Sequence, residues 1–393
     1  MKKVISILLS LVIAASVFPV NASAARKYTT EPKVEYLNTV LNCDTGLGIG
    51  VSGLGGDNIQ DAGYDGYYVS IYDKSIKKYK KLFTMNTVTS CGYYYVKNLE
   101  PETEYKFAVR FFKNENGKQK TVKSYYSTQK TRAALPHATV WTDNKNIKLK
   151  WTMYGEWDGY EITTWKRGEK NSESDTYSPL EEQKVYKIKG GNKTARTLKS
   201  AFKDDLECVS IIAYKTENGK KVYSSPSYTY MYEMQFNSAA GNNKVSYTSS
   251  EKDNKIIKKV LKAAVTDDMS PYQKGFSLIR YVRANGKYEY DYSKIDSSPI
   301  QAVFVKQKAQ CYQWAEAYRI LLECAGVKGF KTVSGYKGNS YHWWVETDLS
   351  KYGGGLSLAD PYPFVSMRTG GIHYMCSYEY SVYNYGSKYV KNT

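Results

Sequence analysis

Cys311 opens a helix-patterned run, Ala309-Gln310-Cys311-Tyr312-Gln313-Trp314-Ala315-Glu316-Ala317-Tyr318. Downstream lie one histidine in Tyr341-His342-Trp343-Trp344 and an aspartate in Leu358-Ala359-Asp360-Pro361. A thiol, an imidazole and a carboxylate in that order can serve as nucleophile, base and orienter of the base. A free cysteine supplies only a small fraction of thiolate at neutral pH. A sulfur at a helix start sits over unsatisfied N–H groups and the positive end of the macrodipole, which favours the charged form. His342 would complete the activation and Asp360 would hold the imidazole in its useful tautomer. Each residue alone has a plainer reading: a packed thiol such as Cys324, a hydrogen-bonded core histidine, a turn aspartate before proline. Their order and the element types around them favour the catalytic one.

The elements that must position these groups begin after about Phe236. Ser250 to Ala264 has helical spacing, with Ile256, Ile257, Val260, Leu261 and Ala264 on one face. Ser270-Pro271-Tyr272-Gln273 is a capping box with proline at the first helical position, and its helix should end at Asn285-Gly286. The cysteine helix follows, apolar at Trp314, Ala315, Tyr318, Leu321, Leu322 and Ala325, with Gly326 as its stop. Strand-like runs cover 330–336, 340–349 and 355–359, and the tyrosine-rich 374–389 reads as further strand. Helices followed by strands indicate an α+β domain. The turn-rich link at Lys351 to Gly355 would make the strands carrying His342 and Asp360 antiparallel neighbours. Trp343 and Trp344 fall on opposite strand faces, one to wall a cleft and one for the core. With Gln310 they are the candidate substrate-binding residues. The Cys311 N–H is the expected first oxyanion donor, and Gln310 and Gln307 are candidates for the second.

This region resembles the transglutaminase-like domain of the papain-type cysteine enzymes. The resemblance runs through Ser270 to Lys274 as the leading helix, Cys311 to Gly326 with its closing Leu321-Leu322-x-x-Ala325-Gly326, His342-x-Trp344, and Asp360-Pro361. Ala309 stands where the family often has glycine. The resemblance implies acyl transfer at a protein or peptide amide through Cys311, His342 and Asp360, with no cofactor.

The first half reads differently. Glu115-Asn116-Gly117-Lys118 recurs as Glu217-Asn218-Gly219-Lys220, 102 residues on, each copy between alternating apolar runs. Asn-Gly in that setting is a strong short-range hairpin signal. Units of about 100 residues built of short strands and turns read as β-sandwiches. They resemble fibronectin type III domains: Leu99-Glu100-Pro101-Glu102-Thr103-Glu104-Tyr105 matches a tyrosine corner in the first, and Trp151 the buried tryptophan in the second. Val51 and Glu207 stand where the other hallmark of each would be. The expected organisation is a signal peptide over 1–24, sandwiches over 25–132 and 133–235, and the transglutaminase-like domain over 236–393. The fold class is therefore multidomain, two all-β immunoglobulin-like sandwiches followed by an α+β papain-like domain.

Lys2 and Lys3, the apolar Val4 to Val17 and Ala22-Ser23-Ala24 form an export signal. The expected location is secreted or at the cell surface of a Gram-positive bacterium, with no membrane span in the mature chain. The net charge of +18 is spread out, since residues 236–393 hold 21 basic and 13 acidic side chains. This suits anionic wall polymers or glycans and argues against a nucleic-acid partner, which would call for a basic stripe or helix. With three histidines, at 137, 342 and 373, a zinc site is not expected, and both His137 and His373 read as exposed. Gly48-Ile49-Gly50-Val51-Ser52-Gly53 reads as a glycine-rich strand, because no helix follows it. The six cysteines form no dense framework and no C-x-x-C pair. The competing function class is a non-catalytic adhesion or glycan-binding protein that keeps the C-terminal domain as scaffold.

Overall fold

The computed structural model describes residues 44–51, 64–85, 92–169, 179–361, 374–377 and 390–391, except 242, 249, 284, 286 and 338–339. The expected signal peptide and His373 lie outside these residues, as do Cys43 and Cys91.

Among the described residues the first module has six strands: β1 (Leu47–Val51), β2 (Gly66–Asp73), β3 (Lys78–Met85), β4 (Gly92–Val96), β5 (Glu104–Glu115) and β6 (Lys118–Lys130). β1 pairs with β4, and the larger sheet runs β3-β2-β5-β6. The glycine-rich segment is β1, in register with the tyrosines of β4. Leu47, Ile49, Tyr67, Val69, Tyr95, Phe107, Val109 and Phe111 alternate inward and form the core. The Tyr105 hydroxyl accepts from Glu100 N at 2.8 Å, closing the corner the sequence suggests. Asn116 and Gly117 both have positive φ, the conformation that a two-residue β5–β6 hairpin turn needs.

The second module repeats the plan with β7 (His137–Thr142), β8 (Ile147–Thr152), β9 (Gly159–Lys166), β10 (Glu181–Lys189), β11 (Ala195–Leu198), β12 (Leu206–Glu217), β13 (Lys220–Tyr223) and β14 (Ser227–Tyr230). One sheet is β11-β8-β7; the other is β10-β9-β12-β13, with β14 also on β12. Asn218 and Gly219 have the same positive φ as their counterparts in the first module. Trp151 is buried in this core, edge-on to Tyr160.

Helix α1 (Met231–Ala240), which the sequence did not suggest, runs directly out of β14. Its Met231 and Met234 pack into the second sandwich core. Asn237 is buried between modules: its side-chain nitrogen donates to Val140 O at 3.1 Å and its oxygen accepts from Tyr272 N at 2.9 Å. The last domain continues with α2 (Glu251–Ala264) and α3 (Pro271–Arg283). The capping box forms as written in the sequence: Ser270 Oγ accepts from Gln273 N and Gln273 Oε1 accepts from Ser270 N. The short strands β15 (Lys287–Tyr288) and β16 (Lys308–Ala309) flank helical turns over 299–306, and then comes α4 (Cys311–Cys324), buried along Trp314, Ala315, Tyr318, Leu321 and Leu322. Gly326, with φ of 82°, ends it, and a Cβ there would lie 2.2 Å from the Asn243 carbonyl oxygen. The helix lies on a sheet containing β17 (Phe330–Lys337), β18 (Ser340–Asp348), β19 (Leu356–Ala359), β20 (Tyr374–Ser377) and β21 (Val390–Lys391), in the order β20-β19-β18-β17-β21.

The modules are joined by specific contacts. Met269 inserts into the first sandwich core, and Lys97 Nζ donates to Val265 O at 2.5 Å. His137, expected to be exposed, is mostly buried between two carboxylates: Nδ1 meets Asp268 at 2.7 Å and Nε2 meets Asp44. Asp44 belongs to the first sandwich, His137 to the second and Asp268 to the last domain.

Candidate active site

The start of α4 is held from below by a feature with no local sequence signal. Lys287–Tyr288 and Lys308–Ala309 pair as two short parallel strands, and Glu289 N donates to Ala309 O at 3.1 Å. Gln310 is buried, and its side-chain nitrogen donates to Glu289 O at 2.7 Å. Its backbone N–H donates to Gln313 Oε1 at 3.1 Å, and the first intrahelical bond runs from Trp314 N to Gln310 O. Helix geometry leaves the first N–H groups, that of Cys311 among them, without intrahelical acceptors. Gln307, just before, has φ of 56°, a left-handed conformation that turns the chain into the Lys308–Ala309 strand. Trp314 Nε1 donates to Asn285 O and the Tyr318 hydroxyl to Gly275 O, both at 2.9 Å, so the helix is pinned on its buried side as well.

β18 and β19 are antiparallel, with Val345 opposite Ala359, so the chain leaving β19 brings Asp360 beside the His342 end of β18. His342 Nε2 and Asp360 Oδ2 are 2.6 Å apart, and both residues are almost fully buried. The imidazole also forms a side-chain hydrogen bond with Cys311. With Nε2 committed to Asp360, the nitrogen left for the sulfur is Nδ1. Burial works to lower the His342 pKa, but the Asp360 charge, the bond to Asp360 and the bond to Cys311 together raise it to about 10. The structure therefore brings Cys311, His342 and Asp360 into one chain of contacts.

Of the three cysteines whose side chains are described, all free, only Cys311 is not buried. Burial pushes the Cys324 thiol up to about 11 and the Cys208 thiol up to about 12. Trp344 is buried and stacked 6.1 Å from the His342 ring. Trp343 is half-buried and meets Tyr312 edge-on at 5.0 Å, with Tyr341 at 6.2 Å on its other side. Tyr288 is also close to Cys311, its phenol pushed up by burial and by that neighbour. Tyr288 and Glu289 are the site residues that sequence reasoning missed. Their only trace was the alternation Tyr288-Glu289-Tyr290.

A thiol beside an imidazole that a carboxylate holds is an arrangement suited to a sulfur nucleophile. Among the described residues no group of three His, Cys, Asp or Glu could hold a metal ion. No helix among them is long and apolar enough to cross a membrane.

No curated protein matches the chain significantly. Among solved structures, a two-domain fibronectin type III segment of chicken tenascin is similar at 15% identity, covering 51% of this chain and 94% of that one, with a TM-score of 0.21. The FN1-FN3 domains of chicken CNTN1 are similar at 16% identity, covering 48% and 63%, with a TM-score of 0.19. At these scores neither likeness carries an argument about this chain. The model of the transglutaminase-like superfamily matches residues 258–355, a span that holds Cys311 and His342 and stops short of Asp360. Behind its two β-sandwich modules, the chain carries a transglutaminase-like domain.

Proposed function

We propose that the C-terminal domain performs acyl transfer at an amide carbonyl of a protein or peptide, with Cys311 as nucleophile, His342 as acid and base, and Asp360 as the group that orients His342. The observation carrying this reading is the placement of His342 between the Cys311 thiol and the Asp360 carboxylate. Cys311 passes its thiol proton to His342, its sulfur attacks the carbonyl carbon, and the electron pair moves to the carbonyl oxygen beside the start of α4. The Cys311 backbone N–H is the donor available there for the oxyanion. Collapse expels the amine, which takes its proton from the His342 imidazolium and leaves a thioester on Cys311. Water then attacks the thioester while neutral His342 takes its proton, and the thiol is restored as the acid departs. An amine in place of water would give an amide cross-link. Tyr312 and Trp343, in edge-on contact, and Tyr288 beside Cys311 are the aromatic groups assigned to contact with the acyl donor.

The export signal at residues 1–24 and the basic composition support action in a cell envelope, on the outer surface of a Gram-positive bacterium. The test is trapping. Full-length chain incubated with a peptide p-nitroanilide mixture and quenched in acid should carry an acyl adduct on Cys311 by mass spectrometry. Hydroxylamine should release it as a hydroxamate, the signature of a thioester. An adduct absent across the mixture, together with equal iodoacetamide labelling of Cys311 and Cys324, would favour a scaffold role for the domain in adhesion.

A further inference from the structure

The outer faces of the two large sandwich sheets are built differently. In the first sandwich, Tyr68 and Tyr72 of β2, Tyr79 and Lys81 of β3, Lys106 and Arg110 of β5 and Tyr126 of β6 share the face turned away from the core. The register sets Tyr72 opposite Tyr79, Lys81 opposite Ser70, Arg110 opposite Tyr68 and Tyr126 opposite Ala108. Ser70 and Ala108 are small and buried in the middle of the sheet. Tyr79 and Tyr126 lean over them and meet at 5.8 Å, although β2 and β5 lie between their strands. Tyr72 and Tyr79 are edge-to-face at 5.2 Å, Lys81 Nζ stands 4.2 Å over Tyr68, and the Arg110 guanidinium stands 5.1 Å over Tyr79. Tyr126 is 65% exposed.

None of these cations is ion-paired among the described residues. The nearest acid on this face is Glu104 at the end of β5, and Lys130 stands opposite it. In the second sandwich three cations at the corresponding sheet are ion-paired in place: Lys221 with Glu161 at 2.7 Å, Lys166 with Glu181 at 2.7 Å, Arg167 with Glu207 at 2.6 Å. The first face therefore offers unneutralised positive charge on a rigid, ordered set of rings. Tyrosine gives large contact area at small entropic cost, and a cation held over a ring stays available to an incoming anion.

We propose that this face binds an anionic glycan, a polysaccharide whose sugar rings carry carboxylate or phosphate. Saturated sugars meet tilted tyrosines through C–H groups and phenol hydroxyls, while Lys81, Arg110 and Lys106 take the anions. A single-stranded nucleic acid is the other polyanion that uses rings, but its flat bases need open ring faces. Here Lys81 and Arg110 already cover Tyr68 and Tyr79. The site lies in a different module from Cys311 and does not depend on the chemistry proposed there.

The test is affinity electrophoresis of the full chain in gels containing polygalacturonate, a phosphomannan, neutral dextran or oligo-dT. At least one of the two anionic polysaccharides should retard the chain, and which one identifies the anion. Dextran and oligo-dT should retard it less. Lys81→Glu with Tyr79→Ala should weaken retardation at least tenfold, because both change exposed or half-exposed side chains outside the core. Lys221→Glu in the second sandwich and Cys311→Ala should each change it less than twofold. Circular dichroism checks that every variant is folded. Retardation by neither anionic polysaccharide, stronger retardation by oligo-dT, or full retardation of the folded Lys81→Glu/Tyr79→Ala variant would overturn the proposal.

Discussion

Two buried histidines serve this chain in opposite ways. His137 and His342 each have a carboxylate on Nε2, Asp44 for the first and Asp360 for the second. They differ in what occupies Nδ1. Asp268 sits there in His137, and the Cys311 thiol meets the corresponding side of His342. In both, burial alone would lower the pKa, and the acidic neighbours reverse it, to about 9 for His137 and about 10 for His342. The same electrostatics therefore yields a clasp where both neighbours are carboxylates and, in the function we propose, a reactive pair where one is a thiol. A raised histidine pKa does not by itself mark an active site; the identity of the second partner decides.

The comparison breaks most visibly if each histidine is removed in turn. His342→Ala should lower acyl transfer about 10⁶-fold, the scale seen when a triad loses its base, and progress curves with a cleaved peptide would measure it. Because the change also takes the imidazole away from the buried Asp360, turnover should be compared per folded molecule, with the folded fraction read by circular dichroism. His137→Ala should do the reverse. It leaves Asp44, a fully buried carboxylate, with the Leu135 N–H but without its imidazolium, and should cost about 3–5 kcal/mol in chemical denaturation. Turnover per folded molecule should change less than about twofold. A His137→Ala chain as stable as the parent would mean that the three-module junction holds without its charges.

The pH dependence separates the two further. A histidine whose folded pKa is raised above its unfolded value of 6.5 contributes stability that is complete below about pH 6.5 and lost as pH rises through the folded value. For His137 the window runs from about 6.5 to about 9, and a shift of that size corresponds to about 3 kcal/mol. Thermal melts of the parent should show this alkaline loss, and those of His137→Ala should show a shallower slope. Turnover needs the His342 imidazolium to protonate the leaving amine, so its alkaline limit should fall higher, near pH 10. Junction loosening ahead of the loss of turnover is the expected order.

The three described cysteines extend the same contrast. Cys311 lies at a helix start beside His342, whereas Cys324 and Cys208 are buried with their thiols pushed up to about 11 and about 12. Iodoacetamide at pH 7 should label Cys311 about 10–100-fold faster than either. Peptide mapping after short pulses gives the ratio directly. His342→Ala should bring Cys311 closer to the others, and His137→Ala should leave the ratio alone.

What could be read in the sequence was what depends on near neighbours. The Ser270–Gln273 box, the two Asn-Gly turns, the amphipathic α2 and the stop at Gly326 are set by residues within a turn of one another. The β18–β19 neighbourhood was also legible, because its short link constrains the pairing. The His137 clasp was not, since its partners are 93 and 131 residues away and neither lies in a pattern. Helix α1 escaped because its Met-Tyr-Glu-Met-Gln-Phe run follows a strand without a break, and its ordering comes from packing against two modules. The support beneath the nucleophile escaped for a third reason. It is made of backbone groups of Glu289 and Ala309, which no side-chain type announces.

That support allows the finest cut. Gln310→Ala removes the bond to Glu289 O and leaves a carbonyl to find water, at a cost of about 1 kcal/mol. The loss in stability is small beside that of His137→Ala, but it falls directly under Cys311. If the Glu289–Gln310 bond sets the angle at which α4 presents its first N–H groups, Gln310→Ala should lower kcat more than it raises KM. The Cys311-to-Cys324 labelling ratio should fall only about two- to fivefold, because His342 and Asp360 keep their bond and the thiol keeps its base. A variant in which labelling and kcat both match the parent would show that the helix start is held by Trp314 and Tyr318 from the core side alone. The short parallel strands would then be a packing detail, and the difference between the two histidines would reduce to the single exchange of Asp268 for a thiol.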